Sequence, residues 1–381
     1  MKAGTVCTEP DFTEIHDELR AVTRDVLATV GPGERIDSRV LAAQGWLGLE
    51  VPEEFDGAGA TYAEVAIVLE ELGRAVVSSG YLGAALAAGV CGLLAPAPAR
   101  DALLSVMAAG TAMATVAFTA NPDDCDATPP FRIDRGAGGQ TICGCAEFVP
   151  DAVGADRLLL LAADPDGVPV IVAVAADTTG LVCSGRAMLD ETRSFGTVTV
   201  DAIAVPDDAV WHFDGDPSTA IRRLHDRAAV AIACDSLGLS EAMLAATVAY
   251  VRTRTQFGRP IGSFQAVKHA CADMLVQITV ARQLVDAAVR QLAAADQSQL
   301  DTAAVRQNDP VGLDVTTAAA MAKSYTCTAA VEITGKAMQL HGGYGYTWES
   351  GIHRYLKRAT FNRALFGSPA ALRRHIAARY R

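Results

Sequence analysis

The chain has 381 residues, half of them hydrophobic and 20% charged, a composition that excludes disordered, fibrous and collagen-like classes and describes a mostly helical globular protein. At about 100 to 200 residues per domain, this length predicts two or three domains with sizeable cores. The formal charge of -12, from 32 Lys and Arg against 44 Asp and Glu, argues against nucleic acid or a membrane as a partner and leaves room only for local basic clusters that bind phosphates.

Residues 1–10 contain Glu9 and lack the apolar run of a signal peptide, which predicts no export. Residues 11–115 read as helices, because apolar positions recur at three and four in Ile15, Leu19, Val22 and Leu27 and again from Val65 to Leu72. Pro and Gly break that pattern in the loop around Gly45, Pro52 and Gly57. Residues 75–99 carry no charge, but Gly, Ser, Ala and two prolines dilute their apolarity, so a buried helix is expected rather than a membrane span. Beyond Thr115 the pattern becomes β-rich, with runs at 113–118, 157–161, 168–174 and 197–205 separated by Asp, Gly and Pro turns. From residue 217 the helical pattern returns in Ala-rich segments at 224–252, 264–295 and 314–340, with a polar stretch at 293–310 that is either a helix end or an exposed turn. The expected fold is α+β and multidomain: an N-terminal helical domain (1–115), a small β-barrel or sandwich (116–216) and a C-terminal four-helix bundle (217–381).

Nine cysteines, odd in number and without a C-x-x-C pair, fit a reducing cytoplasm. The seven histidines show no i, i+4 pair and no ligand spacing with cysteines, so no metal is expected. No G-x-S-x-G is present and Ser368 precedes Pro369, which argues against a serine hydrolase.

Two runs carry chemistry. In Arg252-Thr253-Arg254-Thr255-Gln256-Phe257-Gly258-Arg259-Pro260-Ile261-Gly262-Ser263-Phe264-Gln265 one helix ends and another begins, and three arginines crowd the corner. Guanidinium groups beside an amide and an aromatic ring suit a planar ligand bearing phosphates; a solvated basic corner is the alternative. In Gln339-Leu340-His341-Gly342-Gly343-Tyr344-Gly345-Tyr346 a helix closes into a glycine-rich turn whose N–H groups are free to bond a phosphate. Alone, such a turn is a common C-cap, and its spacing is not the G-x-G-x-x-G of a nicotinamide-binding fold.

Together with G-W-L-G-L-x-x-P-E-E-F in the first block, these runs resemble the acyl-CoA dehydrogenase family over nearly the whole chain. The resemblance implies a non-covalent FAD between the β domain and the C-terminal helices, shared between subunits of a dimer or tetramer. It implies that Arg254, Gln256 and Phe257 contact the FAD of the adjoining chain, that Gln265 lies near it, and that Gln339, Leu340, His341, Gly342 and Gly343 cradle its pyrophosphate and adenosine. The implied reaction removes the α proton of an acyl-CoA to a carboxylate base while the β hydrogen leaves as hydride to the flavin, giving a 2-enoyl-CoA. Electrons then pass to an electron-transfer flavoprotein.

Such a base needs an apolar site and hydrogen-bond donors facing the thioester carbonyl. Measured against the family, the base is missing. Phe366 stands where most members place a Glu, and Ala228 stands where a minority place it. Two carboxylates remain on that helix. Asp235, among apolar neighbours, is read either as a locally paired carboxylate or as a substitute base; Asp226 resembles a position near bound substrate. The family's T-E-P-x-x-G-S-D strand is replaced by residues 118–126, and Glu147-Phe148-Val149-Pro150 stands near the expected W-I-T-N. These departures fit a subunit of a two-chain dehydrogenase of lipid or sterol side-chain oxidation, in which a second dehydrogenase chain supplies the base. A self-sufficient homo-oligomer with an unusual base is the alternative, and a non-redox structural or hydratase-like family member is a further one.

Overall fold

The computed structural model describes residues 13–31, 33–119, 128–136, 139–300 and 314–379. Five helices come first: α1 (Thr13–Ala28), α2 (Ser38–Ala43), α3 (Tyr62–Ala75), α4 (Tyr81–Cys91) and α5 (Pro98–Ala108). Thr61 and Glu64 close a reciprocal capping box that starts α3, and Asp37 caps α2. The uncharged 75–99 stretch is not one helix. Val76 takes a left-handed conformation after α3, and only the shorter α4 follows, almost wholly buried.

The middle strands are β1 (Ala114–Ala117), β2 (Phe131–Gly136), β3 (Gly139–Pro150), β4 (Arg157–Ala163), β5 (Pro169–Ala175), β6 (Leu181–Gly185), β7 (Phe195–Ala204) and β8 (Val210–Trp211). They form one mixed sheet in the order β6-β7-β3-β2-β4-β5-β8, with β1 pairing parallel to β4 ahead of β2. Alternation divides the sheet cleanly: Leu158, Leu160 and Ala162 of β4 join an interior to which seven of these strands contribute, while Leu159 and Leu161 face the helices. The sheet thus curls round its own apolar core with its other face against the helical body.

Asp216, followed by Pro217, caps α6 (Pro217–Thr253); α7 (Gln265–Leu300) and α8 (Val315–Leu340, capped by Asp314) complete a set of long helices, with α9 (Ile352–Ala364) and α10 (Pro369–Ala378) packed on α8. Of the polar 293–310 stretch, α7 takes the part up to Leu300, and 301–313 lie outside the described residues.

Helix α6 is about 55 Å long at 1.5 Å per residue. Every residue from Ala228 to Ser240 is buried, which makes this a core helix surrounded on all sides. It is long and apolar enough to cross a membrane by length and composition, yet 78% of its most apolar window is buried inside the protein. Helices α3 and α6 cross closely because both carry glycine at the contact. A Cβ on Gly238 would lie 1.8 Å from the Glu70 carbonyl oxygen, and one on Gly73 would lie 2.1 Å from that of Asp235.

Candidate functional site

The carboxyl ends of α6 and α8 meet at one corner. Tyr250, one turn before the end of α6, stacks on the His341 ring at 4.4 Å and donates its hydroxyl to the His341 carbonyl at 3.3 Å. The Tyr344 ring lies 6.1 Å from it on the same stack. His341 is buried, with Nδ1 2.8 Å from the Ala337 carbonyl oxygen. A tyrosine that the motif reading passed over therefore brings the arginine run and the glycine run together.

Past Arg254 the chain makes a two-strand hairpin, β9 (Thr255–Gln256) and β10 (Arg259–Pro260), whose turn is Phe257 and Gly258 at φ 52° and 74°. Successive positive φ values belong to a type I′ turn, which glycine adopts freely and phenylalanine rarely. The Phe257 side chain is 91% exposed and meets the Phe264 ring edge-on, while Arg259 lies 4.1 Å above that ring. Arg254, Gln256 and Gln265 are exposed around it.

Across the corner Gln339, Gly342 and Gly343 are exposed and Leu340 is half-buried. Gly342 has φ 61°, and a Cβ on either glycine would meet nothing within 4 Å. The corner thus offers a guanidinium, amides, an upright aromatic ring and bare backbone, which is chemistry for a planar ligand with phosphates.

The interior holds a different arrangement. Phe366, at φ 49° and 1% exposed, stacks parallel on Phe118 with centroids 5.6 Å apart. His225 meets the Phe118 ring edge-on at 5.1 Å. Its Nδ1 is buried without a partner among the described residues, and burial lowers the imidazole to about 4, so it is neutral at pH 7. Ala228 is fully buried beside these groups on α6. Neither Phe366 nor Ala228 can accept a proton.

Asp226 lies two residues, or about 200° of helical turn, from Ala228. Its carboxylate accepts the Thr316 hydroxyl at 2.7 Å at the start of α8. Burial lifts it to about 7 against that hydrogen bond and the nearby Arg222 and Arg223.

Asp235, read from the sequence either as a locally paired carboxylate or as a substitute base, is tightly paired in the structure. Its carboxylate accepts Nε and Nη2 of Arg358 at 3.1 and 2.6 Å, Nη2 of Arg193 at 2.9 Å and Nδ2 of Asn362 at 2.7 Å. Burial pushes it up, but Arg193 and Arg358 outweigh burial and hold it below the usual carboxylate range. A base needs the opposite shift and a free lone pair. This carboxylate is a structural knot joining α6, α9 and the loop before β7.

In the β region, Phe148 stands at φ 55° within an irregular stretch of β3, with Arg186 4.7 Å above its ring and paired to Glu147 at 3.0 Å. Of the 118–126 segment, Phe118 and Thr119 are described and 120–126 lie outside the described residues. Among the described residues no group of three His, Cys, Asp or Glu is placed to hold a metal.

Comparison with known proteins gives consistent matches. Residues 13–111 match the acyl-CoA dehydrogenase N-terminal domain and residues 219–380 its C-terminal domain. Acyl-CoA dehydrogenase IpdE2 of Mycolicibacterium smegmatis is 31% identical over 341 residues, 89% of this chain and 86% of that protein. The Tcur3481-Tcur3483 steroid ACAD is 26% identical, with a TM-score of 0.77 over 97% of this chain and 98% of that one. The ChsE4-ChsE5 complex of Mycobacterium tuberculosis has the same fold at 22% identity, with a TM-score of 0.81 and 98% of each chain covered.

Proposed function

The chain belongs to the acyl-CoA dehydrogenase family, which is FAD-dependent, and from that premise we propose that it is one subunit of a heteromeric enzyme that dehydrogenates an acyl-CoA to the 2-enoyl-CoA. A single observation carries this reading: Phe366 and Ala228, where the resemblance places the family's base, are buried and incapable of taking a proton, while the Arg254 and Gly342 corner stays open.

The open corner fits the dinucleotide. Arg254 would pair with phosphate oxygens, Gln256 and Gln339 would hydrogen-bond, Phe257 would stack, and the bare backbone of Gly342 and Gly343 would let the pyrophosphate approach closely. Leu340, His341 and Gln265 would border it. When bound, FAD supplies the hydride acceptor for the β hydrogen. The residues of this chain would bind and orient; the α proton would go to a carboxylate of a second dehydrogenase chain, since Asp235 is tied to two guanidiniums.

The substrate class we favour is a lipid or sterol side-chain thioester, supported by the steroid enzyme among the relatives. An electron-transfer flavoprotein would take the electrons. A cytoplasmic setting is supported by free thiols at every described cysteine. Native mass spectrometry of the assembly purified from its host through a tag on this chain tests the reading. A complex of this chain with a base-containing dehydrogenase and FAD is expected; a homo-oligomer competent with acyl-CoA overturns it.

A further inference from the structure

Helix α7 begins at Gln265, in the open corner, and runs away from it along the surface. A surface helix ordinarily turns a charged face to water, as α1 does with Glu14, Asp17, Glu18, Arg24 and Asp25 exposed. On α7 the fully exposed positions from 275 to 283 are Leu275, Val276, Thr279, Val280 and Gln283, with no charge among them. Leu275, Val276 and Val280 are 55%, 63% and 41% exposed. Toward the corner this stripe continues into a half-open groove of about 430 Å³, walled by Val248 and Val251 of α6 and by Val267 and Cys271 of α7, with Arg252 and Lys268 beside it.

The neighbouring helix adds an independent observation. Gln277 of α7 donates to the Glu332 carboxylate of α8 at 2.8 Å, so the two helices present one platform. Gly335 follows Glu332 on α8, inside the helix and half-buried, where a Cβ would meet nothing within 4 Å. Glycine within a helix is less stable than alanine, and nothing among the described residues calls for one here. The close approach that it permits is to a group outside this chain.

The position of the platform identifies that group. A stable interface covers about 800 Å² on each partner, a patch about 30 Å across. Val276 and Val280 lie about 17 and 22 Å along the helix from Gln265, and Gly335 is one turn before Gln339 of the corner. A chain seated over a dinucleotide at the corner therefore also covers the stripe, the groove and Gly335. We propose that this α7–α8 platform is the docking face for the second dehydrogenase chain, which lays an apolar helix along Val276 and Val280, against Gly335, and sets carboxylates beside Arg252 and Lys268. The proposal rests on the heteromeric reading argued above.

The test is native mass spectrometry of the assembly purified from its host through a tag on this chain, for the parent, Val276→Asp, Gly335→Leu and, as control, Val182→Asp at a valine 59% exposed on β6. Both test positions face open space, so the variants keep the fold, which equal urea midpoints of the lone chains check; Val280→Asp replaces a variant that fails this check. Parent and control are expected to carry a base-containing dehydrogenase at equal stoichiometry, and the two variants to retain at most a tenth of it. Parental stoichiometry in either variant overturns the proposal and leaves the heteromeric reading standing. A parent without a base-containing dehydrogenase overturns that reading and the proposal with it, and a homo-oligomer split by Val276→Asp does the same by assigning the face to a second copy of this chain.

Discussion

The carboxylate of Asp235 and the guanidinium of Arg358, 123 residues apart, meet in a buried two-point pair at 3.1 and 2.6 Å, and Arg193 reaches the same carboxylate at 2.9 Å. Two cations thus share one carboxylate in the middle of α6. Replacing Asp235 by Asn takes from both buried guanidiniums the carboxylate they bond directly, and the expected loss is about 3 to 5 kcal/mol of stability by urea unfolding. The pH sign follows from the depressed carboxyl. With the folded value below the unfolded one, the stabilisation is present above about pH 4 and disappears as pH falls through the folded value. A variant as stable as the parent at pH 7 would contradict the pairing.

Asp226 predicts the opposite slope. Its folded value of about 7 stands above the unfolded 3.8, so this group disfavours the fold increasingly as pH rises from about 4 to about 7, and by a constant amount above that. Asp226→Asn should therefore gain stability relative to the parent across that window, on the order of a few kcal/mol. Unfolding curves at pH 5 and pH 8 check it; a difference that does not change with pH removes the raised carboxyl from the account.

Phe118 and Phe366 stack within 2° of parallel in the buried interior. Phe366→Glu would bury a carboxylate there, at a cost of a few kcal/mol or with its proton retained. In the assembled enzyme this substitution should bring no gain in turnover. A large gain would show that this chain's own interior is a working site that lacks only its base.

At the exposed corner, Arg254→Ala should lower flavin content by at least half, and Tyr250→Ala should do the same indirectly by separating the hairpin from the glycine turn. Arg132→Ala, at an exposed pair with Asp134 on the sheet, is the control and should leave flavin unchanged. The absorbance ratio of flavin to protein reads all three, and equal ratios would sink the assignment of the corner.

What the sequence revealed was local. The hairpin and the glycine turn are contiguous runs whose glycines and arginines advertise themselves, and the long helices follow from periodicity. Strands β2, β3 and β6 were passed over because their exposed faces carry Arg, Asp, Cys and Gly, which break an apolar run without breaking a strand. The role of Asp235 was undecidable in sequence because its partners lie 42, 123 and 127 residues away at Arg193, Arg358 and Asn362. Tyr250 was within reach: an aromatic one helical turn before Arg254 faces the same end of the helix.

The central claim is that this chain grips FAD at a shared site and lacks the base that completes it. The most direct measurement is the visible spectrum of the chain purified alone and of the chain co-purified with a base-containing dehydrogenase, before and after anaerobic addition of acyl-CoA thioesters. The account predicts no acyl-CoA-driven bleaching from the lone chain, and bound flavin that bleaches in the complex. Flavin held by the lone chain and bleached by an acyl-CoA would contradict it.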